Sequence, residues 1–268
     1  MGHSSSQLSL SRKSALIIAH PGHELRVCRW LEIARPTVFV LTDGSGRSDN
    51  SRLSSTTTLL SAAGAQCGPI FGRFSDLRLY HNIIVGDSEC FAKLAEELAE
   101  HLYEQQIEYV AGDAIEGYNP AHDLCRLIIN AALRILKRRH GLSLGNFDFL
   151  LSGRPDACPE RTRNQAIWLR LDDLQIGAKL NFARSYPELQ PEVEKALSAN
   201  GRDAFRIECL RPVAATTCYH FQETPFYERY GEKQVAAGFY SDVIRYREHM
   251  VPLGEALRRH AERANPWA

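Results

Sequence analysis

The sequence predicts an α/β fold organised as a doubly wound, mostly parallel sheet with helices on both faces. Three observations carry that expectation. Short apolar runs without period-2 alternation, which suit strands covered on both sides, recur along the first 153 residues. Between them lie stretches whose apolar residues repeat at helical spacing, and such alternation argues for βαβ units. The chain of 268 residues, 44% apolar, is also long enough to bury one large core.

The elements follow in order. SALIIAH (14–20) is the first strand, and Pro21 and Gly22 turn the chain into ELRVCRWLEIA, a helix with Leu25, Cys28 and Leu31 on one face. TVFVLTD (37–43) is the second strand, GSGRSDNS a polar loop, and SSTTTLLSAAGAQ a helix leading to the third strand, GPIFGRF (68–74). SDLRLYHNIIVGD reads as an irregular connection, FAKLAEELAEHLYEQQ as a long amphipathic helix, and IEYVAGD (107–113) as the fourth strand. The loop AIEGYNPAHD precedes the helix LCRLIINAALRILKRR and a fifth strand, NFDFLLSG (146–153). Beyond it, RNQAIWLRLDDLQIGAKLNFARSY reads as one or two helices, PELQPEVEKALSANG as a short helix stopped by Gly201, and FRIECLRPVAAT as a late strand. The aromatic and basic tail from Pro225 onward is mostly helical and is expected to form one wall of a pocket. No repeat or low-complexity linker interrupts the chain. Residues 14–268 are therefore expected to form a single domain, with 14–153 as its parallel core and 154–268 completing the pocket, while 1–13 read as disordered or tag-like.

Charge and cysteine content narrow the partner. Lysine plus arginine (32) equals aspartate plus glutamate (32), so no global field favours nucleic acid or an anionic membrane. A small-molecule substrate is expected, with homo-oligomerisation left open. The seven cysteines lack CxxC spacing and their number is odd, which fits free thiols in a reducing cytoplasm. No apolar stretch of signal-peptide or membrane-spanning length occurs, so a cytoplasmic location is expected.

Ligands of open parallel sheets bind beyond the carboxyl ends of the strands, where strand order reverses. With the common order 3-2-1-4-5, the first and fourth strands are neighbours at that point. His20 ends the first strand, His23 follows across the Pro-Gly turn, and His122 follows the fourth strand by a short loop. Three neutral nitrogen ligands with an open fourth position describe a catalytic zinc site, with another divalent metal open as the occupant. The plainer alternative is a set of loop-end histidines in satisfied polar contacts.

AHPGHE (19–24), after an apolar strand, resembles the Ala-His-Pro-Asp-Asp-Glu signature of the PIG-L/LmbE-like N-deacetylases, zinc enzymes that remove acetyl groups from N-acetylglucosamine-type sugars. Asn119-Pro120-Ala121-His122 is similar to that family's second motif, His-Pro-Asp-His, after the fourth strand. The resemblance runs over roughly residues 14–190, including TDG (42–44) and the stretch from Lys179 to Tyr186. It implies a Rossmann-like, LmbE-like fold and a zinc-dependent amide hydrolase acting on an N-acetylated amino sugar or related amide in glycan or secondary metabolism. It also implies that His20 and His122 are metal ligands and that His23 stands at the family's aspartate ligand, an exchange zinc tolerates.

The same comparison removes two catalytic groups. Gly22 occupies the position of the family's aspartate base, and Asn119 that of a histidine which stabilises the tetrahedral intermediate. A missing base costs on the order of 10²–10⁴ in rate unless something replaces it. Glu116, Asp113, Asp43 and Glu24 all lie in loops expected at this edge, and Glu116 is the preferred substitute because EGYNPAH leads from it to His122. Asn119 retains an amide able to donate to an oxyanion. The alternative is a catalytically degenerate metal- or carbohydrate-binding member of the same fold. Other features have plain readings beside functional ones. Glu24 suits the first turn of a helix, and Asp43 a turn cap. Arg52 reads as a surface arginine or a substrate contact, as Tyr118 does on the rim. Tyr227, Tyr230, Tyr240 and Tyr246 fit a core better than a sugar-stacking face, and no partner is identifiable for His220, His249 or His260.

Overall fold

The computed structural model describes residues 10, 12–46, 50–213 and 221–263. Seven strands form a single mixed sheet in the order β3-β2-β1-β4-β5-β7-β6. They are β1 (Ser14–Ile18), β2 (Thr37–Thr42), β3 (Gln66–Phe74), β4 (Tyr109–Asp113), β5 (Gly145–Phe149), β6 (Ile167–Arg170) and β7 (Ile207–Pro212). β1 to β5 are parallel, and β7 pairs antiparallel with both β5 and β6. The sheet is thus Rossmann-like, and β1 and β4 are neighbours at the reversal of order.

Side-chain direction explains why β1 reads as a continuous apolar run. Ala15, Ile17 and Ala19 enter one core, whereas Leu16 and Ile18 enter the other. The first core is covered by α3 (Asp76–Ile84), α4 (Ser88–Glu104), α5 (Pro120–His140) and α9 (Val251–Arg263). The second is covered by α1 (Cys28–Ala34), α2 (Leu53–Ala63) and the end of α6 (Asp173–Arg184). A smaller cluster of Leu171, Ile176, Leu180, Ala204 and Phe205 sits under α6 and α7 (Gln190–Asn200).

Several sequence expectations are corrected. SDLRLYHNIIVGD is not irregular: Ser75 caps α3 by accepting from the Arg78 amide at 3.3 Å, and Leu79 and Ile83 place one face in the core. The helix expected after β1 begins as a tight 3-10 turn over His23–Val27 before α1. IWLR within the expected helix of 163–186 is instead β6, because pairing with β7 gives these residues ladder hydrogen bonds and turns Ile167 and Leu169 to one core. His122 belongs to the first turn of α5, with Asn119 as cap and Pro120 opening the helix, rather than to a loop. Within the segment read as tag-like, Lys13 donates its amide to Glu108 at 3.2 Å. Residues 1–9 and 11, part of the GSGRSDNS loop, the last residues of the expected late strand, Cys218 and His220 lie outside the described residues.

A buried ion pair fastens the irregular third to the sheet. Glu208 of β7 receives the Lys179 ammonium at 2.8 Å and the amides of Arg29 and Trp30, at the start of α1, at 3.0 and 2.9 Å. Both side chains of the pair are buried. Removing one partner of such a pair leaves an uncompensated charge. Glu208→Ala is expected to lower stability by about 3–5 kcal/mol in urea unfolding, whereas Lys179→Met with Glu208→Leu recovers much of the loss. A double variant as unstable as the single one would show that the pair is not the fastening.

Candidate functional site

The site is built where β1 meets its turn. Gly22 holds φ 105°, a left-handed conformation open to glycine, and the His23 and Leu25 amides fold back onto the carbonyls of His20 and Gly22. The turn brings His20 and His23 to one side of the sheet edge. The first turn of α5 delivers His122 from the neighbouring strand. The three rings pack edge to face, with centroids 5.3 Å apart for His20–His23, 5.2 Å for His20–His122 and 4.4 Å for His23–His122.

Each of the first two histidines is backed by a carboxylate. His20 Nδ1 lies 2.8 Å from Thr42 Oγ1 and 3.1 Å from Asp76 Oδ1. His23 Nδ1 lies 3.0 Å from both oxygens of Asp113, whose Oδ2 also accepts the Ala19 amide at 2.8 Å. These contacts place the proton on Nδ1 and leave Nε2 as a lone pair. His20 Nε2 and His122 Nδ1 are buried and have no hydrogen-bond partner among the described residues. Buried polar atoms without partners are uncommon in folded proteins, which makes this pair informative.

The electrostatics favour the neutral form of two of the histidines. Burial lowers His23 well below the usual imidazole range, reinforced by His20, Arg52 and Arg26, and burial lowers His122 likewise, reinforced by His23 and His20. Burial pushes the Asp113 carboxyl up to about 6 against the pull of nearby histidines and Arg126. Burial also opposes ionisation of Asp76, but hydrogen bonds from His20, Thr42 and the Gly46 amide outweigh it and hold its carboxyl well below the usual range. The donor types suit a divalent cation. Among the described residues, however, no group of three or more His, Cys, Asp or Glu side chains is set to hold a metal ion as the side chains stand.

The other expected site residues distribute unevenly. Glu116 turns its carboxylate to the amides of Leu151 at 2.8 Å and Ser152 at 3.0 Å, beyond the end of β5. Asp43 accepts the Ser45 amide at 2.9 Å, so its carboxylate caps a turn. Asn119 caps α5 by accepting the Ala121 amide at 2.8 Å, and its amide nitrogen donates to the Tyr80 hydroxyl at 3.0 Å. Arg52 donates to the Gly44 carbonyl at 2.7 Å and acts on His23 through its charge. Tyr118 stands on the rim, its ring 6.4 Å from that of His122. Glu24 is fully buried, accepting from the Gly22 amide at 2.7 Å and from the Tyr186 hydroxyl.

Sequence reasoning missed Asp76, Thr42 and Tyr80. The signal for Asp76 was present as Ser75-Asp76 after an apolar strand, an N-cap followed by an acidic first turn. Two of the four tyrosines expected in the core, Tyr230 and Tyr240, are exposed. His249 and His260 do have partners, the Arg245 amide at 2.8 Å and Glu96 at 2.9 Å. Among the described residues no helix is long and apolar enough to cross a membrane. No family model, curated protein or solved structure matches the chain.

Glu116 yields a pH prediction free of the histidines. Burial pushes its carboxyl up to about 7 from an ordinary 4.5, so between these values the folded protein binds more protons than the unfolded chain. Stability associated with this group therefore falls as pH rises from about 4.5 to about 7 and is flat above. Denaturant melts across that window should show the slope in the wild type and a smaller one in Glu116→Gln; identical slopes would contradict it.

Proposed function

We propose that the protein is a metal-dependent amide hydrolase of the LmbE-like N-deacetylase type, with His20, His23 and His122 holding a divalent ion, zinc first. The substrate class is an N-acylated amino sugar or a related amide. The observation that carries this reading is the pair of buried nitrogens without partners among the described residues, His20 Nε2 and His122 Nδ1, in a cluster whose His20 and His23 are backed by carboxylates. Such backing is what ligating imidazoles use to fix tautomer and orientation. The three rings also lie together, with centroids 4.4–5.3 Å apart.

When bound, a zinc ion at this place polarises a carbonyl and acidifies water at an open position. The chain's own groups do the rest. Asp76 and Thr42 hold the Nδ1 proton of His20, and Asp113 holds that of His23. Arg52, fixed by the Gly44 carbonyl, brings a positive charge towards the cluster that suits a carbonyl oxygen or hydroxyl of the substrate. Asp113, rather than Glu116, is the carboxylate nearest the histidines, and it orients His23 from behind. Glu116 then acts on substrate further out.

One observation favours a second reading, a binding member of the fold without turnover. At Gly22, the place of the resembled family's base, a Cβ would collide with Leu189 Cδ1, so an apolar side chain fills that space. Turnover of N-acetylated sugars separates the two readings. Elemental analysis is expected to find one divalent ion per chain, lost in His20→Ala and His122→Ala. Asp76→Asn or Asp113→Asn should weaken metal affinity by about 10–100-fold. Amide cleavage should vanish on chelation and return with zinc. Full activity after complete metal removal would overturn the hydrolase reading, and metal binding without cleavage of any N-acylated sugar would establish the second one.

A further inference from the structure

Beyond the end of β4 lies a pocket of about 410 Å³, lined in part by Glu116, Tyr118, Ser152, Glu223, Phe226 and Arg229. The volume falls within the roughly 300–1,000 Å³ of small-molecule sites. Its wall combines the loop after β4 with the start of α8 (Phe226–Ala236). The two are fastened together: Tyr227 is buried and its amide donates to the Gly117 carbonyl at 3.3 Å. The pocket is therefore made by parts of the chain held in fixed relation.

Its aromatic side is unusual for a surface. Tyr118 and Phe226 stack with centroids 5.1 Å apart and planes 7° from parallel, and Phe226 stacks in turn on Tyr230 at 5.7 Å. Even so stacked, the three rings remain 44%, 45% and 40% exposed. A contiguous row of uncovered aromatics marks an interaction site more often than an accident of folding. The row starts 6.4 Å from the His122 ring and leads away from it.

The polar side restricts the ligand. Glu116 and Glu223 give this side two carboxyl groups beside the Arg229 guanidinium, a set richer in acceptors for hydroxyls than in cations for a phosphate. A wholly apolar ligand would strip water from these groups without replacing its hydrogen bonds. The Glu116 carboxylate, already accepting two amides, keeps lone-pair sites for hydroxyl donors. An uncharged ring with an apolar face and hydroxyls at its edge satisfies both sides. We propose that this pocket is a subsite for a second, non-reacting sugar ring of the substrate, seated against Tyr118 and Phe226 with hydroxyls on Glu116. The proposal rests on the amino-sugar reading above for which ring reacts, but binding in the pocket does not require the metal.

The test is calorimetric titration of the full chain in excess chelator with N-acetylglucosamine and with its disaccharide. The disaccharide is expected to bind about tenfold or more tightly, a difference of about 1.4 kcal/mol. Tyr118→Leu and Phe226→Leu should each erase that advantage, while Tyr103→Leu, an exposed tyrosine on α4, should not. Thermal melts verify that each variant is folded, and Glu223→Gln gives a second route should Phe226→Leu fail to fold. Equal affinity for the two sugars, or an advantage untouched by the ring substitutions, would overturn the subsite. So would a phenyl glycoside of the monosaccharide binding as tightly as the disaccharide. Metal-dependent cleavage without disaccharide preference would overturn the subsite and leave the hydrolase, whereas disaccharide preference without cleavage would support the subsite and overturn the hydrolase.

Discussion

Asp113 has no contact with solvent, yet it stands at the end of β4 where the order of strands reverses. A carboxylate in that position must find its donors inside the protein, because an unpaired buried charge costs several kcal/mol. It takes the Ala19 amide from the end of β1 and the His23 ring from the following turn. Its own carbonyl receives Arg126 of α5 at 2.7 Å. One residue thus joins two strands, a turn and a helix, and the orientation of His23 follows from it.

The strands around it are packed closely enough to enforce this. A Cβ at Gly112 would run into the Ile17 carbonyl and the side chains of Ile129 and Arg126, so only glycine lets β4 lie against β1 at this height. Arg126 is fully buried and spends its guanidinium on Asn146 and the Phe147 carbonyl as well, tying α5 to β5. The apolar cores on the two faces supply the main driving force for the fold, but these polar contacts choose its register at the site. The same device recurs at Glu208, where a buried carboxylate pairs with Lys179 and two helix-start amides.

Neutral histidines and buried carboxylates divide the labour at the sheet edge. Burial keeps His23 and His122 uncharged, which leaves lone pairs available. The carboxylates sit behind the rings rather than in front, so they orient without occupying the space a ligand needs. The Gly22 position shows how a resemblance in motif can part from a resemblance in chemistry: the space that a base would fill belongs to Leu189. The C-terminal segment then contributes Phe226 and Tyr230 to the aromatic wall, residues distant in sequence from His20, His23 and His122.

Much of this was legible in the sequence. Strand cores buried on both faces leave unbroken apolar runs, and helices leave their period, so the five parallel strands could be read from the sequence, while their order followed from the arrangement common to such sheets. His20, His23 and His122 could be gathered to one edge by topology alone. Short or polar elements could not be read so: α3 and β6 are decided by a single cap and by pairing with β7, signals weaker than the pattern around them. Nor could the sequence tell which carboxylate meets which histidine, because Asp76, Asp113, Glu116 and Asp43 are equivalent as letters. Only the packed structure turns Asp76 and Asp113 towards the rings and spends Glu116 and Asp43 on backbone amides, since a side chain's partner depends on directions set by the fold rather than on its distance along the chain.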